Sequence, residues 1–270
     1  MEYKISPPQK PKIIKKGENR AIFEIDGCYP GYGLTIGNAF RRVLLSSLAG
    51  AAITAVKIRG VSHEFSTIPH VLEDVIHIIL NLKQIRFKVN APESLPLKVG
   101  LKVVGEKQVK AKDIKLTAEL EIINKDAYIA TLTDKKAKLE MEIEIQGGLG
   151  YMPVEQRKKE KLEIGAIAID AVFTPVKKIN YEVENMRVGD RTDFNRLRID
   201  VETDGSISPE DAMMRAADIL VDHFQVLASP KEVAEERGKT KETVGKIKKP
   251  RPQKTKRAFF KGRRGKKSKK

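Results

Sequence analysis

Between Phe87 and Ile145 the apolar residues fall, stretch after stretch, on every second position. Lys138–Gln146 (KLEMEIEIQ) shows it most cleanly, with Leu139, Met141, Ile143 and Ile145 on one side and Glu140, Glu142 and Glu144 on the other. A period of two does not fit a helix of 3.6 residues per turn, so this segment must form sheet with one face inward. Phe87–Val89, Leu97–Val104, Leu116–Ile123 and Tyr128–Leu132 carry the same pattern, and Gly147, Gly148 and Gly150 then interrupt the chain. Arg20–Asp26, Thr54–Arg59, Leu162–Phe173, Lys177–Glu184 and Leu197–Glu202 are further expected strands.

Helical spacing occurs on either side of this middle. Thr35–Leu48 places Phe40, Val43, Leu44, Leu45 and Leu48 on one apolar face, and Val71–Leu82 carries a second stripe behind Pro69. Ser208, Pro209, Glu210 and Asp211 read as N-cap, first helical residue and acidic first turn of a third helix, which runs to about Leu227. Helices beside strands that do not alternate one for one read as α+β. The first and last segments, 1–49 and 174–228, are expected to meet in one subdomain, with a β-rich subdomain, 50–173, inserted. Met1–Lys16 reads as a loose arm without the apolar stretch of a signal peptide.

The net charge of +16 is concentrated at one end. Residues 229–270 hold 18 Lys/Arg and 4 Asp/Glu, which leaves the rest of the chain near neutral. Apolar periodicity stops at Ser229, so 229–270 is expected to be a disordered basic tail. Lys248, Lys249, Arg251, Arg257, Arg263 and Arg264, with Phe259 and Phe260 among them, suit salt-dependent phosphate contact and base stacking. One cysteine, Cys28, excludes a disulfide framework within the chain and fits a reducing compartment.

No catalytic constellation emerges. Gly31, Gly33 and Gly37 precede or enter a helix, but no acidic residue closes the following strand and no GK[ST] follows, so turn and close-packing roles are expected rather than nucleotide binding. His63, His70 and His77 recur at sevens, and a helical face would group His70, Glu73, Asp74 and His77; acids in a first turn are explained by the helix dipole alone. His223 is expected to be partly buried. Ser46 and Ser47 are expected to bond back to the preceding turn. Neither a cofactor nor a metal is expected. Arg41 and Arg42 lie early in their helix, against its dipole, so they are either a solvated pair or a pair aimed at an acidic partner.

Several stretches resemble the alpha subunits of bacterial-type DNA-directed RNA polymerases. They are Gly33–Gly50 (GLTIGNAFRRVLLSSLAG), Val61–Thr67 (VSHEFST), Val71–Lys83 (VLEDVIHIILNLK), Gly150-Tyr151-x-Pro153, Asp170-Ala171 with Pro175-Val176, Arg191–Asp193 and Ser208–Leu220. The resemblance implies a cytoplasmic, nucleoid-associated homodimer without an active site, on which the beta and beta-prime subunits assemble for transcription. The 1–49/174–228 subdomain would dimerise, with Phe40, Leu44, Leu48, Ala216, Leu220, Phe224 and Leu227 at the dimer interface. Arg41 and Arg42 would face beta, with His63, Glu64, Phe65, Ser66 and Thr67 on the same surface. Lys83, Asp170 and Arg196 match further large-subunit contacts. DNA contact would fall to the basic tail, and no membrane is involved. The family's ERGFG loop reads Cys28–Gly33 here, and its RGRGY turn reads Gly147–Tyr151 without either arginine. The 42 residues after Ala228 are too few and too polar for the compact helical DNA-binding domain that usually ends the family. A free-standing, basic-tailed nucleic-acid-binding scaffold is the competing reading, and a nucleotide-dependent enzyme the more distant one.

Overall fold

A computed structural model describes residues 5–157, 163 and 165–228. The tail residues expected to touch nucleic acid, Lys248 to Arg264, lie outside the described residues. In chain order the elements are β1 (Lys12–Lys16), β2 (Arg20–Cys28), α1 (Tyr32–Ser46), β3 (Ala49–Ile58), α2 (Val75–Leu82), β4 (Phe87–Val89), β5 (Leu97–Val104) and β6 (Lys107–Lys110). There follow β7 (Ile114–Lys115), β8 (Leu120–Ile122), β9 (Tyr128–Leu132), β10 (Lys138–Leu149), β11 (Tyr151–Met152), β12 (Ile167–Ala168) and β13 (Ala171–Val172). The chain closes with β14 (Val176–Val188), β15 (Arg191–Thr203) and α3 (Pro209–Ala228). The α+β class holds, and the strand pairings are antiparallel.

The described residues form two large hydrophobic cores and a small cluster of Ala52, Ala171 and Phe173. The first gathers Phe23 and Ile25 of β2, Leu44 of α1, Leu197 and Ile199 of β15, and Met213 and Ala216 of α3. Its sheet runs β1-β2-β15-β14, with Leu197 opposite Ile25 and Ile199 opposite Phe23. Alternation turns these residues inward and Glu24 and Arg198 outward, so the outer face is ionic: Arg198 meets Glu24 at 2.9 Å and Glu184 at 2.8 Å. α1 lies very close to β14 and β15 because Gly33 and Gly37 carry no side chain there. A Cβ on Gly37 would stand 2.7 Å from the Tyr181 ring, and one on Gly33 2.9 Å from Asn195 and Val183. Gly31, at φ 85°, makes the turn into the helix. Close packing accounts for Gly33 and Gly37 and the turn for Gly31, and Ser46 Oγ donates to the Arg42 carbonyl at 2.7 Å as expected.

The second core centres on β10, flanked by β3 and β5 in the sheet β7-β5-β10-β3-β4-β8. Leu139, Met141, Ile143 and Ile145 are buried, while Glu140 pairs with Arg59 at 3.0 Å on the opposite face. Val75, Ile78 and Leu82 of α2 are buried in this same core. No helix among the described residues is long and apolar enough to cross a membrane.

The structure corrects several local expectations. The Val71–Leu82 helix starts only at Val75, because the Asp74 carboxylate caps it by accepting the His77 N–H at 2.8 Å. His70 stands in a turn at φ 62° and Val71 bridges to Leu132, so the helical face that would group His70, Glu73, Asp74 and His77 does not form. Leu116–Ile123 is not one strand: β7 precedes it and only Leu120–Ile122 pairs. Within Leu162–Phe173 two short strands, β12 and β13, replace a long one. Part of the loose arm is β1, an edge strand guarded by lysines and a bulge between Ile13 and Lys15. His223 is exposed rather than partly buried. Leu44, Leu48 and Ala216, expected at the dimer interface, are buried in this chain's own first core and offer no surface to a second copy. They point inward because the apolar stripe of each helix is wide enough to serve the core first.

A candidate protein-interface groove

Three distant stretches converge on one open groove. Glu64 and Phe65 line it from the loop after β3, Lys83 from the end of α2, and Asp170 from the turn between β12 and β13. Its volume is about 290 Å³. Ile79 and Leu80 of α2 and Ile167 and Ile169 supply apolar walls.

Each side chain is placed by local bonds. The Val75 N–H donates to the Ser66 carbonyl at 3.2 Å, and the Ser66 hydroxyl lies 3.2 Å from the His63 Nδ1, so the 63–67 loop is tied to the start of α2. Phe65 is left 76% exposed, an unusual cost for a phenyl ring. Asn81 fixes the helix to β9 by donating to the Ile129 carbonyl at 2.9 Å. Lys83 follows the helix C-terminus, where a cation is favourable, and reaches Asp170 Oδ2 at 3.4 Å. Asp170 Oδ1 accepts the Val154 N–H at 3.0 Å.

That backbone N–H, with Lys83 assisting against partial burial, holds the Asp170 carboxyl below its ordinary value of 3.8. A depressed folded pKa means the stabilisation is complete above the unfolded value and is lost as pH falls through the folded one. Asp170→Asn is therefore expected to lower stability at neutral pH and to flatten the acid limb below about pH 4, so that parent and variant converge in acid. Urea midpoints at several pH values check this; a parallel acid limb in parent and variant would refute it.

Arg157 stands behind the groove. Its guanidinium donates to the carbonyls of Thr54, at 3.3 Å, and of Ile169. It thereby joins β3 to the segment that carries Asp170. Nothing in the local sequence signals this. Leu80, 50% exposed, was also missed, although it had a signal: VIHIILNL is apolar nearly all round, and such a helix normally has a second surface to cover.

The structure does not bring every expected contact together. Arg41 and Arg42 are exposed on α1 and are not among the residues that line the groove. Among the described residues neither enters an ion pair. Arg196 lies on β15 and is occupied by Asp26 at 2.7 Å, on the ionic face of the first sheet, opposite the face that α1 covers. His63 and Thr67 are exposed and Ser66 half-buried in the loop beside the groove. Of the helix residues expected to dimerise, Phe40 and Leu220 are half-buried, while Phe224 and Leu227 are exposed. Among the described residues no group of three His, Cys, Asp or Glu is arranged to hold a metal ion.

Residues 56–174 match the family described as the RNA polymerase Rpb3/RpoA insert domain. Over 219 residues the chain is 48% identical to the DNA-directed RNA polymerase subunit alpha of Roseiflexus sp. (strain RS-1), covering 81% of this chain and 67% of that protein. It is 46% identical over 225 residues to the subunit alpha of Porphyromonas gingivalis, covering 83% and 68% respectively. For the Symbiobacterium thermophilum protein of the same name the figures are 44% over 232 residues, 84% and 73%. The chain belongs to the family of DNA-directed RNA polymerase alpha subunits.

Proposed function

We propose that this chain is the assembly subunit of its polymerase: a homodimer that carries the beta and beta-prime subunits and leaves nucleotidyl transfer to them. The observation that carries the reading is the groove around Phe65, where residues matched to large-subunit contacts in three separate stretches line one surface. Its exposed phenyl ring, apolar wall and flanking charges have the character of an interface centre with a polar rim. Arg41 and Arg42 present further donors, and arginine forks suit carboxylates on a partner. Dimerisation is supported by the apolar side chains that α3 leaves exposed outside the core, Met214, Val221, Phe224 and Leu227. Two copies related by a twofold axis present the same surfaces, so one copy would take beta and the other beta-prime.

Arg42→Ala and Phe65→Ser test the reading. Both side chains are exposed, so both variants should fold and give the mass of a dimer by light scattering. Each should capture the beta subunit about tenfold more weakly in co-purification, the effect of a residue worth ~1.4 kcal/mol at an interface. Capture equal to the parent's in both would overturn the beta-facing assignment, and a monomeric parent would overturn the platform.

A further inference from the structure

A second and larger cleft, of about 700 Å³, opens where elements of the two cores face each other. β3 and β4 pair only at Ala51 and Phe87, so the strands part at Gly50 and Lys88. β10 pairs with β5 only as far as Ile145 and Leu97, and its last residues, Gln146–Leu149, are bonded on the β3 side alone. Pro175, Ile207 and Arg215 close the cleft from the first core. Gly147 thins the wall: a Cβ there would stand 3.0 Å from Leu95.

The lining is apolar with charge of one sign. Lys88 and Arg215 are its ionic residues and no carboxylate lines it. Both cations are exposed. Among the described residues neither has an ion-pair partner. Arg59 and Lys102, by contrast, both pair with Glu140. The chain's own 229–270 segment, with 18 basic and 4 acidic residues, has the wrong charge to fill the cleft. The volume falls in the range of small-molecule sites, which favour junctions between structural units.

We propose that this cleft binds a small organic anion, an acidic group carried on an apolar body. Lys88 and Arg215 hold the charge, and the walls around Val89, Leu95 and Ile207 hold the body. Lys88 belongs to the sheet of the second core and Arg215 to the helix of the first, so a bound anion braces the two cores against each other.

The probe is 1-anilinonaphthalene-8-sulfonate, an aryl anion that fluoresces when it leaves water. Titrated into the full chain at low salt, it should show one saturable site. Lys88→Gln and Arg215→Gln should each weaken that site roughly tenfold, the loss of one charge-assisted hydrogen bond. Both substitutions are on exposed side chains and should leave the thermal transition in place. Hydrogen exchange at Gln146–Leu149 should slow in the presence of the dye. Two results overturn the proposal: no saturable binding, or parent-like titration of both variants with protection appearing around Phe65 instead.

Discussion

Leu44→Ala is expected to lower the free energy of unfolding by about 3–4 kcal/mol, the cost of a large cavity in a packed core. Leu44 is fully buried, among Leu197, Ile199 and Met213 of the first core. It also underlies the part of α1 that carries Arg41 and Arg42. The loss should therefore appear twice, as an earlier urea midpoint and as weaker capture of beta. Arg42→Ala should show only the second effect, since an exposed substitution without described partners shifts stability by less than about 0.5 kcal/mol. A loss below about 1 kcal/mol for Leu44→Ala would mean that α1 is not anchored through this residue. The pair of variants thus separates holding the helix from using it.

Gly50→Ala should be at least as damaging, at about 3 kcal/mol or more, though it adds one methyl group. Gly50 lies on β3 against Gly148, and a Cβ there would overlap the Phe173 carbonyl oxygen. The obstacle is backbone, so no rotamer relieves it, and the sheet must move away from the segment that leads into β14. Gly60→Ala is the comparison. Gly60 has φ 83° and nothing within 4 Å of a Cβ, so that variant bears only the conformational cost, about 1 kcal/mol. Similar urea midpoints for the two would show that the chain near Phe173 yields easily.

Much of the fold was legible because the periods are strong. Lys138–Gln146 paired as its alternation requires, and α3 began at Pro209 with Ser208 Oγ accepting the Asp211 N–H at 3.1 Å. What escaped was decided by tertiary bonds. The strand pattern of Leu116–Ile123 broke because only Leu120–Ile122 finds a partner, in β4. The inward turn of Leu44 and Ala216 escaped because a helical stripe does not say whether it faces its own sheet or another copy. Within the groove, the family motifs supplied Glu64, Phe65, Lys83 and Asp170. Periodicity supplied none of them, since an exposed phenylalanine in a loop leaves no regular trace. Arg157 was illegible for a further reason: its partners are backbone carbonyls of Thr54 and Ile169, and any residue type offers those.

The antiparallel match between β2 and β15 also has a consequence in time. Arg20 and Asp200, which meet across these strands, are 180 residues apart in the chain. At about 5–20 residues per second, β2 and α1 leave the ribosome roughly 9 to 36 seconds before their central partner exists. The 51–169 core has all of its own residues earlier and is free to close first. During that interval the apolar faces of β2 and α1 stay open to water and to other nascent chains. They are the part of the molecule for which a chaperone, or slow translation past residue 175, matters most.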